Sequence, residues 1–215
     1  MRLVSGLESR RRPTKRCRQT GLSVASLPLA PAAERRYVGL TGTMYRVDER
    51  DRVVELTDVP QSSVGAPLPL VLADEHSVVL AYYLQETPPE WDGNSARMVD
   101  PVDSDEPIAI VRFARCTAHM FGPPNDEAFS GHPLAERGLT PYAVFEVTDS
   151  SWIRALEKMN SVHPRHSPKR FLDGKRHLVF AFHDSTFECV CTGFQFQLAR
   201  GSLRSVIPKM VEMLD

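Results

Sequence analysis

The chain has 215 residues, 42% of them hydrophobic, and a formal net charge of −1; that length supports one good core and leaves little for a second. The near-neutral total hides a division: residues 1–36 carry nine Lys/Arg against two acids, net +7, and the remainder carries 17 against 25, net −8. An acidic body without interleaved basic and aromatic residues argues against a nucleic-acid partner. No apolar run approaches the ~20 residues needed to cross a bilayer, so the expectation is a soluble, cytoplasmic protein with no membrane partner.

The basic leader reads SRRRPTKRCR and then GLSVASLPLAPAA. It fits a twin-arginine export signal, an organelle transit peptide, a disordered extension, or sequence upstream of a start at Met44. Pro28 interrupts an already weak apolar stretch, and composition favours a disordered extension over 1–43 followed by a single domain over 44–215. Cys17, Cys116, Cys189 and Cys191 are too unevenly spaced for a small secreted disulfide framework. Three of them lie in apolar runs, so reduced thiols are expected.

From Arg52 the pattern becomes globular. VVEL predicts a short strand, and PLVLADEHSVVLAYYLQ predicts two strands joined across Ala73–His76, because β-branched and aromatic residues cluster in short runs. Residues 87–107, rich in proline and acid, predict a long surface loop. PIAIVRFARCTAHMF restores strand character. GPPNDEAFSGHPLAERGL, residues 122–139, interrupts it, with Pro133 placed to open a short helix and Gly138 to close it.

PYAVFEVT predicts another strand. DSSWIRALEKMNSVHP then predicts a helix capped by Ser150 or Asp149, with Trp152, Leu156 and Met159 at helical spacing and Pro164 as its stop. A basic loop follows, in which Arg165, Lys169, Arg170, Lys175 and Arg176 are opposed by Asp173 alone. HLVFAFHDSTFECVCTGFQFQL predicts two long strands with a turn near Ser185, and SLRSVIPKMVEML an amphipathic helix kinked by Pro208. Strands outnumber helices without regular β-helix-β alternation, which predicts an α+β fold with a mainly antiparallel sheet and a few flanking helices.

Chemistry concentrates in two segments. In the hairpin, alternation puts Leu178, Phe180, Phe182, Phe187, Cys189 and Cys191 on one face, and Val179, Ala181, His183, Glu188 and Val190 on the other. Pairing either His183 with Glu188 or Phe182 with Phe187 gives the same facing. His183 and Glu188 would share a covered face, where the carboxylate can fix the imidazole tautomer; this suits a general base with its orienting partner, and equally a structural pair closing the hairpin. Asp184, Ser185 and Thr186 are expected to make the turn.

The second segment, NDEAFSGHPL, offers Asn125, Asp126, Glu127, Ser130 and His132 as substrate-binding groups on a loop anchored by Phe129, Pro133 and Leu134. His119, His132 and His183, with Glu188, Asp126 or Glu127, would make an open site for a divalent metal. Cys189 and Cys191, among phenylalanines, read as core. His163 and His166 accompany the basic loop, which would suit a phosphate or carboxylate, although such runs are commonly just solvated.

FGPPNDEAFSGHPL and FHDSTFECV, with YAVFEVTDSSWIRALEKMN between them, resemble blocks of a family of uncharacterised bacterial proteins, over Val53 to Leu198. The resemblance implies a bacterial protein and carries no activity, cofactor or catalytic residue. Two functions stay open at this level. One is a small-molecule enzyme with a His/carboxylate site, metal-dependent or not. The other is a noncatalytic ligand- or protein-binding module. Self-association into a homo-oligomer is compatible with both.

Overall fold

Several strand-forming runs are apolar on both faces, so each sheet they build has to be covered twice. The computed structural model describes residues 45–86 and 98–214, all within the unit Gly42–Asp215. The extension expected over 1–43 and the first half of the loop expected over 87–107 lie outside the described residues. The strands are β1 (Arg52–Glu55), β2 (Leu70–Ala73), β3 (Val78–Tyr83), β4 (Glu106–Ala114), β5 (Ala118–Gly122), β6 (Val144–Thr148), β7 (Arg176–Ala181), β8 (Thr186–Cys191) and β9 (Gly193–Gly201). The helices are α1 (Ser151–Asn160), α2 (Pro168–Leu172) and α3 (Leu203–Glu212), with short 3-10 turns at Phe129–Gly131 and Ala135–Arg137.

Two antiparallel sheets result, ordered β1-β6-β7-β8-β5 and β2-β3-β4-β9. The fold is α+β with mainly antiparallel sheet, as the sequence predicts. Alternation divides the side chains into three layers. Leu178, Phe180, Phe187 and Cys189 of the first sheet pack against Leu80, Tyr82, Val111 and Phe113 of the second. Rings meet across this seam, Tyr82 with Phe180 at 6.3 Å and Phe113 with Phe187 at 5.2 Å between centroids. Val179, Ala181 and Val190 on the far face of the first sheet are covered by Trp152 of α1 and by Phe129, Leu134 and Leu139 of the intervening loop. Val79, Ala81, Ile108 and Ile110 on the far face of the second are covered by Leu203, Val206 and Met210 of α3.

The chain changes sheets at one corner, and this departs from the sequence reading. PIAIVRFARCTAHMF is two strands: Arg115 adopts a positive φ of 48° after β4, and β5 then joins the other sheet. The final run holds β7, β8 and β9, the chain crossing back at Thr192, whose amide bonds the carbonyl of Ala114 at 2.9 Å. α1 begins at its Ser150 cap and stops at Asn160, before Pro164; Met159, expected on its buried face, is 71% exposed. Gly138, with φ of 96°, closes the second 3-10 turn. The basic loop contains the short helix α2.

Candidate functional site

The hairpin register decides where the polar groups go. β7 and β8 pair Phe180 with Phe187 and Ala181 with Thr186, and the amide of Phe182 bonds the carbonyl of Ser185. The expected facing is what forms, but Glu188 pairs with Val179, four residues from the His183–Glu188 pairing, and Phe187 with Phe180, two from the Phe182–Phe187 one. A shift by an even number preserves faces and changes partners. His183 therefore sits in the turn, beyond the strand, and is not oriented by Glu188.

Glu188, 6% exposed on β8, is held by three other groups. The hydroxyl of Tyr45 donates to Oε2 at 2.6 Å, Nε2 of His177 to Oε2 at 2.8 Å, and Nε2 of His132 to Oε1 at 3.0 Å. The tautomers follow from the opposite ring nitrogens. Nδ1 of His132 accepts the amide of Leu134 at 3.1 Å, so the ring proton is on Nε2. Nδ1 of His177 lies 2.8 Å from the hydroxyl of Ser150, whose oxygen accepts the amide of Ile153 and whose proton is thus left for the imidazole. Burial alone would push the Glu188 carboxyl up, but hydrogen bonds from the two imidazoles outweigh it and bring its pKa to about 2. Burial and the adjacent carboxylate push the Tyr45 phenol up.

This cluster ties the start of the described chain, the 122–139 loop, the α1 N-terminus, β7 and β8 to one carboxylate. Trp152 stacks on Tyr45 and meets the edge of His177, at 5.5 and 5.0 Å between centroids. Ser150→Ala removes a helix cap and the partner of a buried imidazole together. A loss of about 1–2 kcal/mol is expected in urea unfolding, with the fold retained.

A second cluster is more open. Nδ1 of His183 lies 2.9 Å from Oδ2 of Asp126, and the Tyr142 hydroxyl donates to the same oxygen while lying 3.2 Å from Nδ1. The amide of Asp126 bonds the carbonyl of His183 at 2.9 Å, so main chain as well as side chain fixes the pair. The His183 side chain is 39% exposed, and among the described residues nothing bonds its Nε2. The Tyr142 hydrogen bond chiefly holds the Asp126 carboxyl below its ordinary range; the same bond, with burial, pushes the Tyr142 phenol up to about 12.

Beside this cluster opens a cleft of about 420 Å3. Tyr142 lines it, as does Phe182, the chain neighbour of His183. Its floor includes Phe180 and Tyr82, its rim carries Thr57 and Gln61, and Glu55 is the one formally charged residue in its lining. The volume suits a small metabolite.

The other expected site residues are placed as follows. Asn125 accepts the amide of Ala128 in a turn, while Glu127 and Ser130 are exposed on the loop. The 122–134 stretch thus reaches the hairpin twice, Asp126 at His183 and His132 at Glu188. The expected metal site of His119, His132 and His183 does not assemble. His119 lies on edge strand β5 against the Phe187 ring, on the opposite face of the sheet from His132, and His183 is taken up in the turn. Among the described residues no group of three or more His, Cys, Asp or Glu is placed to hold a metal ion.

Sequence reasoning missed Tyr45, Tyr142 and His177. A signal existed for His177 alone, since extending the alternation back from Val179 puts it on the Glu188 face. Comparison of the chain with protein-family models, with curated proteins and with solved structures gives no match.

Proposed function

We propose that this protein is a small-molecule enzyme in which His183 acts as general base, Asp126 holds its Nδ1 proton and orients the ring, and the adjoining cleft receives the substrate. The observation that supports this reading is the His183–Asp126 pair, whose outer nitrogen has no partner among the described residues and which Tyr142, bonded to Asp126, links to the lining of a cavity of metabolite size. With Nδ1–H committed to the carboxylate, Nε2 is the proton acceptor, toward either the substrate or an attacking water. Tyr142, protonated throughout the neutral range, gives its one hydroxyl proton to Asp126 and lines the cleft. A lining whose formal charge is Glu55 alone favours a neutral or cationic substrate over an anionic one.

The setting we propose is the bacterial cytoplasm. Cys116, Cys189 and Cys191 are free, and no helix among the described residues is long and apolar enough to cross a membrane.

The test is incubation of the protein with a bacterial metabolite extract followed by mass spectrometry. A metabolite consumed by wild type and left intact by His183→Asn supports the reading. A second reading, a noncatalytic binding module, draws on the saturation of Glu188, His132 and His177 by one another; retention of a metabolite without any change in its mass selects it. For the enzyme, Tyr142→Phe has a signed consequence. Losing the hydroxyl donor lets the Asp126 pKa rise, so the titration of that carboxylate, followed by NMR, is expected to move to higher pH.

A further inference from the structure

The basic loop that follows α1 is not used by either cluster. Asn160, at the end of α1, and the stretch 163–175 around α2 border an open hollow of about 310 Å3, lined by Arg165, Arg170, Lys175, His163 and Phe171 among others, with no aspartate or glutamate in the lining. Glu157 is committed to His166 at 2.7 Å, and Asp173, the one acid of the stretch 163–175, is not in the lining. Among the described residues neither the Arg165 nor the Arg170 side chain has a carboxylate partner. Three cations facing one concavity repel one another. That they do so within a body of net charge −8, where carboxylates abound, leaves the neutralising charge to come from a ligand.

The donors are arranged for a compact anion. Nδ1 of His163 accepts the amide of Arg165 at 3.2 Å, which puts the ring proton on Nε2 as a further donor. Lys175 is steadied by Thr117 at 2.6 Å and by the face of Phe171 at 4.7 Å, and it keeps two ammonium protons beyond the one given to Thr117. Burial holds the Lys175 pKa below its ordinary value, the direction expected where a cation has no counter-ion. Arginine forks match phosphate oxygens in pairs, and Phe171 offers an apolar wall for a short organic part.

We propose that this hollow binds a small phosphate monoester. It is separate from the cleft: β7 starts at Arg176, next to the hollow, and ends at Ala181, which lines the cleft, a span of about 15–20 Å. The acidic body favours a free small molecule over a polyanion or an anionic membrane surface. This assignment stands whether or not His183 is catalytic.

Calorimetry of the full chain with phenyl phosphate as probe tests it, with phenol as the uncharged control. Saturable binding is expected for phenyl phosphate and not for phenol, weakening with added salt. Arg165→Ala and Arg170→Ala should each lower affinity about tenfold, and Arg170→Lys by less, because it keeps the charge and loses the fork. Both arginines are exposed, so the variants are expected to melt with wild type, and His183→Asn should leave the affinity unchanged. The proposal is overturned if phenyl phosphate does not bind saturably, if the arginine variants bind it as wild type does, or if the protein sediments with phosphatidic-acid vesicles while ignoring phenyl phosphate.

Discussion

Glu188→Ala is expected to destabilise the domain by about 3–5 kcal/mol, measured by urea unfolding at neutral pH. The substitution removes one carboxylate and strands three donors: the Tyr45 hydroxyl and Nε2 of both His132 and His177, all on residues at most 4% exposed. A buried donor left without an acceptor costs about 1–3 kcal/mol. The pH dependence has a definite sign. The Glu188 pKa falls from 4.5 to about 2 on folding, so its contribution is complete above 4.5 and is lost as pH falls toward 2. Its size is about 3 kcal/mol. Wild type should therefore lose stability across that window, and Glu188→Ala should lose much less there, having nothing left to titrate. A variant as stable as wild type at neutral pH would show that the cluster does not hold the fold.

His183→Asn is expected to lower turnover about 10²- to 10⁴-fold while leaving stability within about 0.5 kcal/mol of wild type. The side chain lies in a turn and is 39% exposed, so little packing is lost with it. Asp126→Asn is the informative companion. An asparagine can present either its carbonyl or its amide to Nδ1, so the ring loses its fixed tautomer and its charge support but keeps its place. A smaller loss of turnover, at unchanged melting, is expected. If His183→Asn turned over substrate at the wild-type rate, the base would have to lie elsewhere.

What the sequence disclosed about this site was set by periodicity. Side chains alternate with period two whatever the register, so the Phe180, Phe187 and Cys189 face and the Val179, Glu188 and Val190 face were both legible. Which residues meet across the hairpin depends on turn geometry, and the run HDST admits several turns. The four-residue difference in register, which sets Glu188 opposite Val179 and not His183, exchanged His183 for His177 as the imidazole beside Glu188. The split of PIAIVRFARCTAHMF was hidden for a related reason. No glycine or proline marks the corner, which falls at Arg115, a residue at positive φ between β4 and β5. Tyr45 lies before any periodic run, and its role arises from a contact 143 residues away in sequence, which no local pattern encodes. Asp126 and His132 were legible as a polar loop with apolar anchors, but not that the loop delivers one to each cluster.

The two imidazoles sit differently, His132 buried on Glu188 and His183, the proposed base, partly exposed beside Asp126. Turnover per folded molecule and unfolding temperature, measured side by side for His183→Gln and His132→Gln on a metabolite that the wild type consumes, test that difference most directly. His183→Gln is expected to melt with wild type and be inactive, whereas His132→Gln is expected to melt lower and keep turnover in its folded fraction. The reverse pattern, or a wild-type protein that converts nothing in the extract, would contradict this assignment.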